Sequence, residues 1–209
     1  MVAFIVYPII AYLLGSVPTA VWVGKRFYAT DVREHGSKNA GATNTFRVLG
    51  KKPGTVVLII DIIKGALAVT LPFLMQQNGF VIEYLIEIQL ICGISAILGH
   101  VFPLFAGFNG GKGVATSLGV IIGLHPLTAL ICIGIFLVVF LASSMVSLGA
   151  IFAAAAFPVV LNVLFKNENI YLLSFSIILS IAVIIAHHKN IGRILKGEEN
   201  KMNLFNRES

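Results

Sequence analysis

Three polar stretches of this chain hold residues whose types and spacing suit chemistry on a phosphate. The first runs Gly36-Ser37-Lys38-Asn39-Ala40-Gly41-Ala42-Thr43-Asn44 and is followed by Phe46 and Arg47. Its small residues let the backbone turn tightly and present successive N–H groups to an anion. Ser37, Asn39, Thr43 and Asn44 add neutral hydrogen-bond partners, and Arg47 can grip phosphate through two oxygens at once. The same composition also suits a flexible solvated loop.

The second stretch is Leu98-Gly99-His100-Val101-Phe102-Pro103, continued by Phe108-Asn109-Gly110-Gly111-Lys112-Gly113-Val114-Ala115-Thr116. Glycines ahead of a lysine and a helix start resemble a nucleotide P-loop, but Gly113 stands where that motif needs a hydroxyl. What survives is the physics: the amides of Gly110, Gly111 and Gly113 and a helix N-terminus favour an anion, and Lys112 adds a point charge. His100, at the end of an apolar run, is open to a structural role, to phosphate binding or to catalysis. The third stretch is His187-His188-Lys189-Asn190-Ile191-Gly192-Arg193, continued to Gly197, Glu198 and Glu199. On a helical continuation of the preceding run, His187, Asn190 and Arg193 share one face. A juxtamembrane segment resting on anionic lipid explains the basic residues here but not the histidine–asparagine face.

The elements that position these residues follow from composition. Of 209 residues, 57% are hydrophobic and 11% charged, whereas a soluble domain carries roughly 25% charged residues. Too little polar surface is left to cover a core, so lipid is the covering solvent, and the fold class is an all-α polytopic membrane protein forming one domain over 1–209. The net charge of +6 is assigned to loops on the cytoplasmic face and not to nucleic acid. Cys92 and Cys132 lie in apolar runs without metal-type spacing, and no metal or cofactor is expected. Val2–Leu14 lacks a preceding basic region and reads as a retained helix, not a signal peptide.

Apolar runs fall at roughly 2–24, 54–75, 84–102, 113–124, 126–142, 147–165 and 169–187. The fourth is short, and His125-Pro126 ends it. Loop charge decides whether 113–142 is one kinked span or two. Residues 25–53 carry seven basic residues against Asp31 and Glu34, and the tail carries Lys189, Arg193, Lys196, Lys201 and Arg207. Segment 76–88 has Glu83 and Glu87 and no basic residue. The positive-inside rule places the first loop and the tail on the same, cytoplasmic side, which requires about seven spans, an external N-terminus and a cytoplasmic C-terminus. Asp61 and Lys64, inside the second span, need a partner or a polar interior; an ion pair and a substrate role both fit. Ser143, Ser144 and Ser147, at a cytoplasmic turn, are within reach of the site, but small-residue packing explains them better.

Together these motifs resemble the bacterial membrane acyl-phosphate:glycerol-3-phosphate acyltransferases. The likeness rests on Gly36-Ser37-x-Asn39-x-Gly41-x-Thr43-Asn44, on Leu98-Gly99-His100-x-Phe102-Pro103 with Gly110-Gly111-Lys112-Gly113-Val114-Ala115-Thr116, and on His187-x-x-Asn190-Ile191-x-Arg193 with Gly197-x-Glu199. Asp61-x-x-Lys64-Gly65 extends it, so the resemblance runs nearly end to end. It implies transfer of a fatty acyl group from acyl phosphate to the 1-hydroxyl of sn-glycerol 3-phosphate, giving lysophosphatidate and phosphate in phospholipid synthesis. It also implies the bacterial inner membrane, with the site facing the cytoplasm and membrane lipid as surroundings. An acyl phosphate carries its own leaving group, so holding two phosphates, orienting the hydroxyl and stabilising the oxyanion suffice. On that reading Arg47 and Lys112 hold phosphates, Asn190 donates to the carbonyl oxygen or orients glycerol 3-phosphate, and either His187 or a substrate phosphate takes the proton. Two rivals fit parts of the pattern: an organic-phosphate transporter, and an acyltransferase using acyl-CoA or acyl carrier protein. The first predicts polar chemistry at the membrane midplane instead of in loops on one face. The second predicts a His-x-x-x-x-Asp pair, which no histidine here satisfies.

Overall fold

The structure, a computed structural model, describes residues 2–202. Every regular element among the described residues is helical. Arg207, one of the basic tail residues, lies outside them. The apolar runs become α1 (Ala3–Gly15) and α2 (Thr19–Tyr28), α4 (Lys51–Gln77), α5 (Leu85–Val101), α6 (Val114–Leu124), α7 (Pro126–Ser143), α8 (Val146–Val159) and α9 (Ile170–Ala186). Two amphipathic helices lie between or after them, α3 (Ala42–Leu49) and α10 (His188–Leu195). Among the described residues five segments are long and apolar enough to cross a bilayer, counting Ala3–Tyr28 as one, and α9 with α10 makes six if that bent pair is one span. The 11 residues of α6 rise only about 16 Å, roughly half of a hydrocarbon core. Behind the seven-span expectation therefore stand five or six helices of crossing length and one of half length.

The chain forms two compact units, divided between Pro126 and Leu127. In the N-terminal unit α1 packs on α5 and α4 on α6. Both crossings are backbone-close because glycines sit in them. A Cβ at Gly15 would overlap the Ala96 carbonyl, and one at Gly65 the Thr116 carbonyl; Gly119 stands in the same way against Ile62. Lipid tails offer helices no hydrophobic reason to associate, so such close van der Waals approach carries the packing. Gln89 of α5 donates to the Val69 carbonyl of α4 at 2.7 Å, three residues ahead of Pro72, which lacks a backbone N–H. In the C-terminal unit α8 packs on α9, and Gly149 of α8 receives the Phe136 ring. The chain after α10 returns to the start of α8, where the Met202 amide donates to the Ser144 carbonyl at 2.8 Å.

Two features depart from simple runs. The first apolar run breaks at Ser16–Pro18, where Pro18 has no amide to continue the helix. The last does not continue straight: α10 leaves α9 at 58°, with His187 at the junction (φ −99°, ψ 8°).

Candidate active site

In the N-terminal unit the first polar stretch is a loop entering a helix. Asn39 is half-buried in the turn before Gly41, and Thr43 and Asn44 sit in the first turn of α3, with Arg47 in its last. Asn44, 1% exposed, is the staple of this loop. Its oxygen accepts from the Ser37 amide at 2.8 Å, and its nitrogen donates to the carbonyls of Val32 (2.7 Å) and His35 (3.1 Å). This corrects the expectation that Asn44 meets phosphate: its amide is used up in holding the loop. The same bond occupies the Ser37 N–H, leaving the exposed Ser37 hydroxyl as its polar group at the surface. Gly36 is left-handed (φ +57°), and a Cβ there would come within 2.5 Å of Asn44 Oδ1 and 3.6 Å of Arg47 Cδ. The exposed Arg47 thus lies along the loop, with no ion pair among the described residues.

The second polar stretch folds back on the end of α5. The Gly110 amide donates to Val101 O at 3.2 Å and the Gly111 amide to His100 O at 3.1 Å. These two amides, expected to meet an anion, are therefore committed inside the loop. Lys112 follows, half-buried, and Gly113 (φ +79°) caps α6 in the left-handed region that favours glycine. The first-turn amides of α6 have no intrahelical acceptor. Beside them the buried hydroxyls of Thr116 and Ser117 have no hydrogen-bond partner among the described residues. Lys112 thus stands two residues before α6, whose first-turn amides and positive dipole end are of the kind that favour an anion.

His100 is not part of that surface. It is 6% exposed, with Nδ1 3.7 Å from Asp61 Oδ1. A Cβ on Gly111 would overlap His100 Nε2 and stand 3.1 Å from the Ala40 carbonyl oxygen. The ring underpins the loop that carries Lys112. Asp61 pairs with Lys64 at 2.9 Å and accepts from Thr19 at 3.1 Å, while Lys64 donates to Val17 O at 3.0 Å.

A contact the sequence reading missed joins the two loops. Arg33 donates to Asp31 through Nη2 (2.8 Å) and Nε (3.0 Å) and, through Nη1, to the Ala106 carbonyl at 2.9 Å. The Arg33 guanidinium holds the Asp31 carboxyl well below the usual carboxylate range, and Asp31 raises Arg33 in turn. Both residues counted only as loop charge in sequence, although Asp-x-Arg at a turn start is the pattern a side-chain cap uses.

In the C-terminal unit Asn190 and Arg193 share a face of α10, and Glu199 closes it. Glu199 accepts from Asn190 Nδ2 (2.7 Å), Arg193 Nε (2.7 Å) and Ser147 Oγ (2.8 Å). Burial pushes the Glu199 carboxyl up, but the hydrogen bonds of Asn190, Arg193 and Ser147 outweigh it and hold the group below its ordinary value. The Ser147 hydroxyl thus has a polar role beyond small-residue packing. His187, 3% exposed, stands one turn before Asn190. Its Nδ1 is 2.8 Å from the Val183 carbonyl, which only accepts, so Nδ1 carries the proton and Nε2 is the basic nitrogen of the neutral ring.

Comparison with known proteins shows the family. The family model described as glycerol-3-phosphate acyltransferase matches residues 5–197. A glycerol-3-phosphate acyltransferase of Fusobacterium nucleatum is 43% identical over 199 residues, covering 95% of this chain and 98% of the relative. One of Listeria monocytogenes is 44% identical over 198 residues, covering 95% and 96%. The solved integral membrane glycerol 3-phosphate acyltransferase PlsY, in its glycerol 3-phosphate form, superposes with a TM-score of 0.83 at 34% identity, over 97% of this chain and 99% of that one. Its lysophosphatidic acid form gives 0.79 at 32%. With a family match across almost all its length and relatives above 40% identity, this all-helical membrane chain belongs to the glycerol-3-phosphate acyltransferase family.

Proposed function

We propose that the protein transfers a fatty acyl group from acyl phosphate to the 1-hydroxyl of sn-glycerol 3-phosphate, at the cytoplasmic face of a bacterial inner membrane. The observation that carries this reading is Lys112, half-buried at the N-terminal end of α6 and followed by a left-handed glycine. A cation at a helix N-terminus, whose first-turn amides lack intrahelical acceptors, suits a phosphate dianion and makes no demand for a thioester-binding surface. The two forms of the solved relative, with glycerol 3-phosphate and with lysophosphatidic acid, name a phosphate-bearing acceptor and product for that protein and support the same pair here.

In the proposed step the glycerol 1-hydroxyl oxygen attacks the acyl carbonyl carbon, and the bond from that carbon to the phosphate oxygen breaks. Inorganic phosphate leaves with the bonding pair. The hydroxyl proton goes to His187 Nε2 or to a substrate phosphate oxygen. Lys112 and Arg47 neutralise phosphate charge, Ser37, Asn39 and Thr43 offer neutral partners, and Asn190 orients substrate. Purified protein given glycerol 3-phosphate should form lysophosphatidate from palmitoyl phosphate. Turnover only with palmitoyl-CoA or acyl carrier protein would replace the donor.

A further inference from the structure

Asp61 and Lys64 lie inside a membrane-spanning helix and are 1% and 5% exposed. A buried ion pair is a poor stabiliser, because apolar residues of equal volume usually hold a fold as well or better. Its partners indicate a different use. Each lies where the chain leaves regular helix. Lys64 donates to Val17 O, in the break between α1 and α2. Asp61 accepts from Thr19, the first residue of α2. The third group facing Asp61 is His100, one residue before the end of α5.

From His100 the connection continues to the phosphate loop. Its carbonyl accepts the Gly111 amide at 3.1 Å, and its ring lies so close to Gly111 that a Cβ would overlap Nε2. Gly111 in turn faces the Ala40 carbonyl of the first loop. Pro18, Ala40, Pro103 and Gly110 close a small cleft around Lys64 and His100. One residue beyond Gly111 is Lys112. The buried pair thus sits under the point where both polar loops meet, one contact removed from the backbone that carries the phosphate-binding cation.

We propose that Asp61 and Lys64 are positioning residues for acyl transfer: acting through His100 and Gly111, they set the register of the Gly110–Lys112 segment and so the place of the Lys112 ammonium. This rests on the reading that Lys112 holds a substrate phosphate. Both charges are kept because either one alone would be left uncompensated, and because a directional pair fixes two chain breaks that apolar packing would leave free to slide.

The test is a mutant cycle on purified protein, with kinetics normalised to the folded fraction seen in thermal unfolding. Asp61→Asn/Lys64→Met removes both charges without orphaning one. Lys112→Ala alone identifies which substrate, glycerol 3-phosphate or acyl donor, depends on the clamp. In the double variant the KM for that same substrate should rise at least about tenfold, as expected for a displacement of under an ångström at a reacting group. Lys112→Ala added to it should then cost less than about a third of the fold-loss it causes alone, because sites in one network are not additive. Asp61→Glu, which keeps both charges but shifts the carboxylate by a methylene, should show the same KM change in milder form and serves if the double variant does not fold. Unchanged KM in folded Asp61→Glu or the double variant, or a full-size Lys112→Ala loss in both backgrounds, overturns the positioning role while leaving the phosphate clamp standing. Full activity of Lys112→Ala in the otherwise native protein overturns the clamp, and with it this proposal.

Discussion

Glu199 gathers three donors at one buried carboxylate, so its removal has a size that can be worked out. In Glu199→Ala, the buried Asn190 side chain and the buried Ser147 hydroxyl lose their shared acceptor. Each buried group left unsatisfied costs about 1–3 kcal/mol. The Arg193 side chain is 35% exposed and rehydrates, so its loss adds only about 0–1 kcal/mol. The total, about 2–7 kcal/mol, brackets the roughly 3–5 kcal/mol found when a buried charge pair loses one partner. For a chain of this length that is a fall in melting temperature of roughly 4–28 °C. Glu199→Gln keeps one oxygen but turns an N–H₂ toward donors and should lose roughly half as much. The assay is thermal unfolding of the purified protein in detergent, read by tryptophan fluorescence and by residual acyl transfer. Because the folded carboxyl lies below its ordinary value, its contribution is complete above about pH 4.3–4.5 and is lost only as pH falls through the folded value. The difference between native protein and Glu199→Gln should therefore be flat from pH 5 to 8. A melting temperature within 2 °C of native in Glu199→Ala, or a difference that shrinks above pH 6, would refute the argument.

Lys112→Ala should lower turnover by several powers of ten at every pH, because a partly desolvated phosphate loses its partner, and Lys112→Arg should restore only part of it; steady-state kinetics across pH 6–9 decides this. If His187 Nε2 is the base, His187→Ala should slow turnover by about 10²–10⁴-fold and remove the acidic limb of the pH–rate profile. If a substrate phosphate takes the proton, the limb stays and mainly glycerol 3-phosphate affinity falls. Arg33→Ala, which cuts the bridge from Asp31 to the Ala106 carbonyl, should raise protease cutting within 104–112 and cost about 1–3 kcal/mol of stability, with Arg33→Lys failing to rescue because it lacks the fork. For orientation, single cysteines at 38 and 78 on a background without Cys92 and Cys132 should label from opposite faces; labelling from one face would remove the topology.

The limits of what could be read in advance follow from the range of each interaction. Lipid demands continuous apolar runs, so the apolar helices from α4 to α9 were visible to within a few residues, α8 together with the π-helical turn Val160–Leu164 that continues it, and α6 was visibly short because Pro126 ends it. Chain breaks inside such runs were not visible. Hydropathy passes unbroken through Val17-Pro18-Thr19, yet the helix stops there, with Lys64 of a different helix satisfying the carbonyl that the break exposes. The eight residues of α3 read as loop because Thr43 and Asn44 prefer turns in isolation. They are helical here because Asn44 spends its polarity on Val32, His35 and Ser37 instead of on its own backbone. The same physics separates the site residues. Lys112 and Arg47, the proposed phosphate partners, stand out by charge, since an anion needs a cation whatever the fold. Asn44 and His100 carry the same kinds of polar atoms as a ligand would, and only their burial and partners show that they brace the loops. A polar residue next to a phosphate loop is thus ambiguous in sequence because its chemistry serves either a substrate or a carbonyl, and the fold alone decides which acceptor it meets.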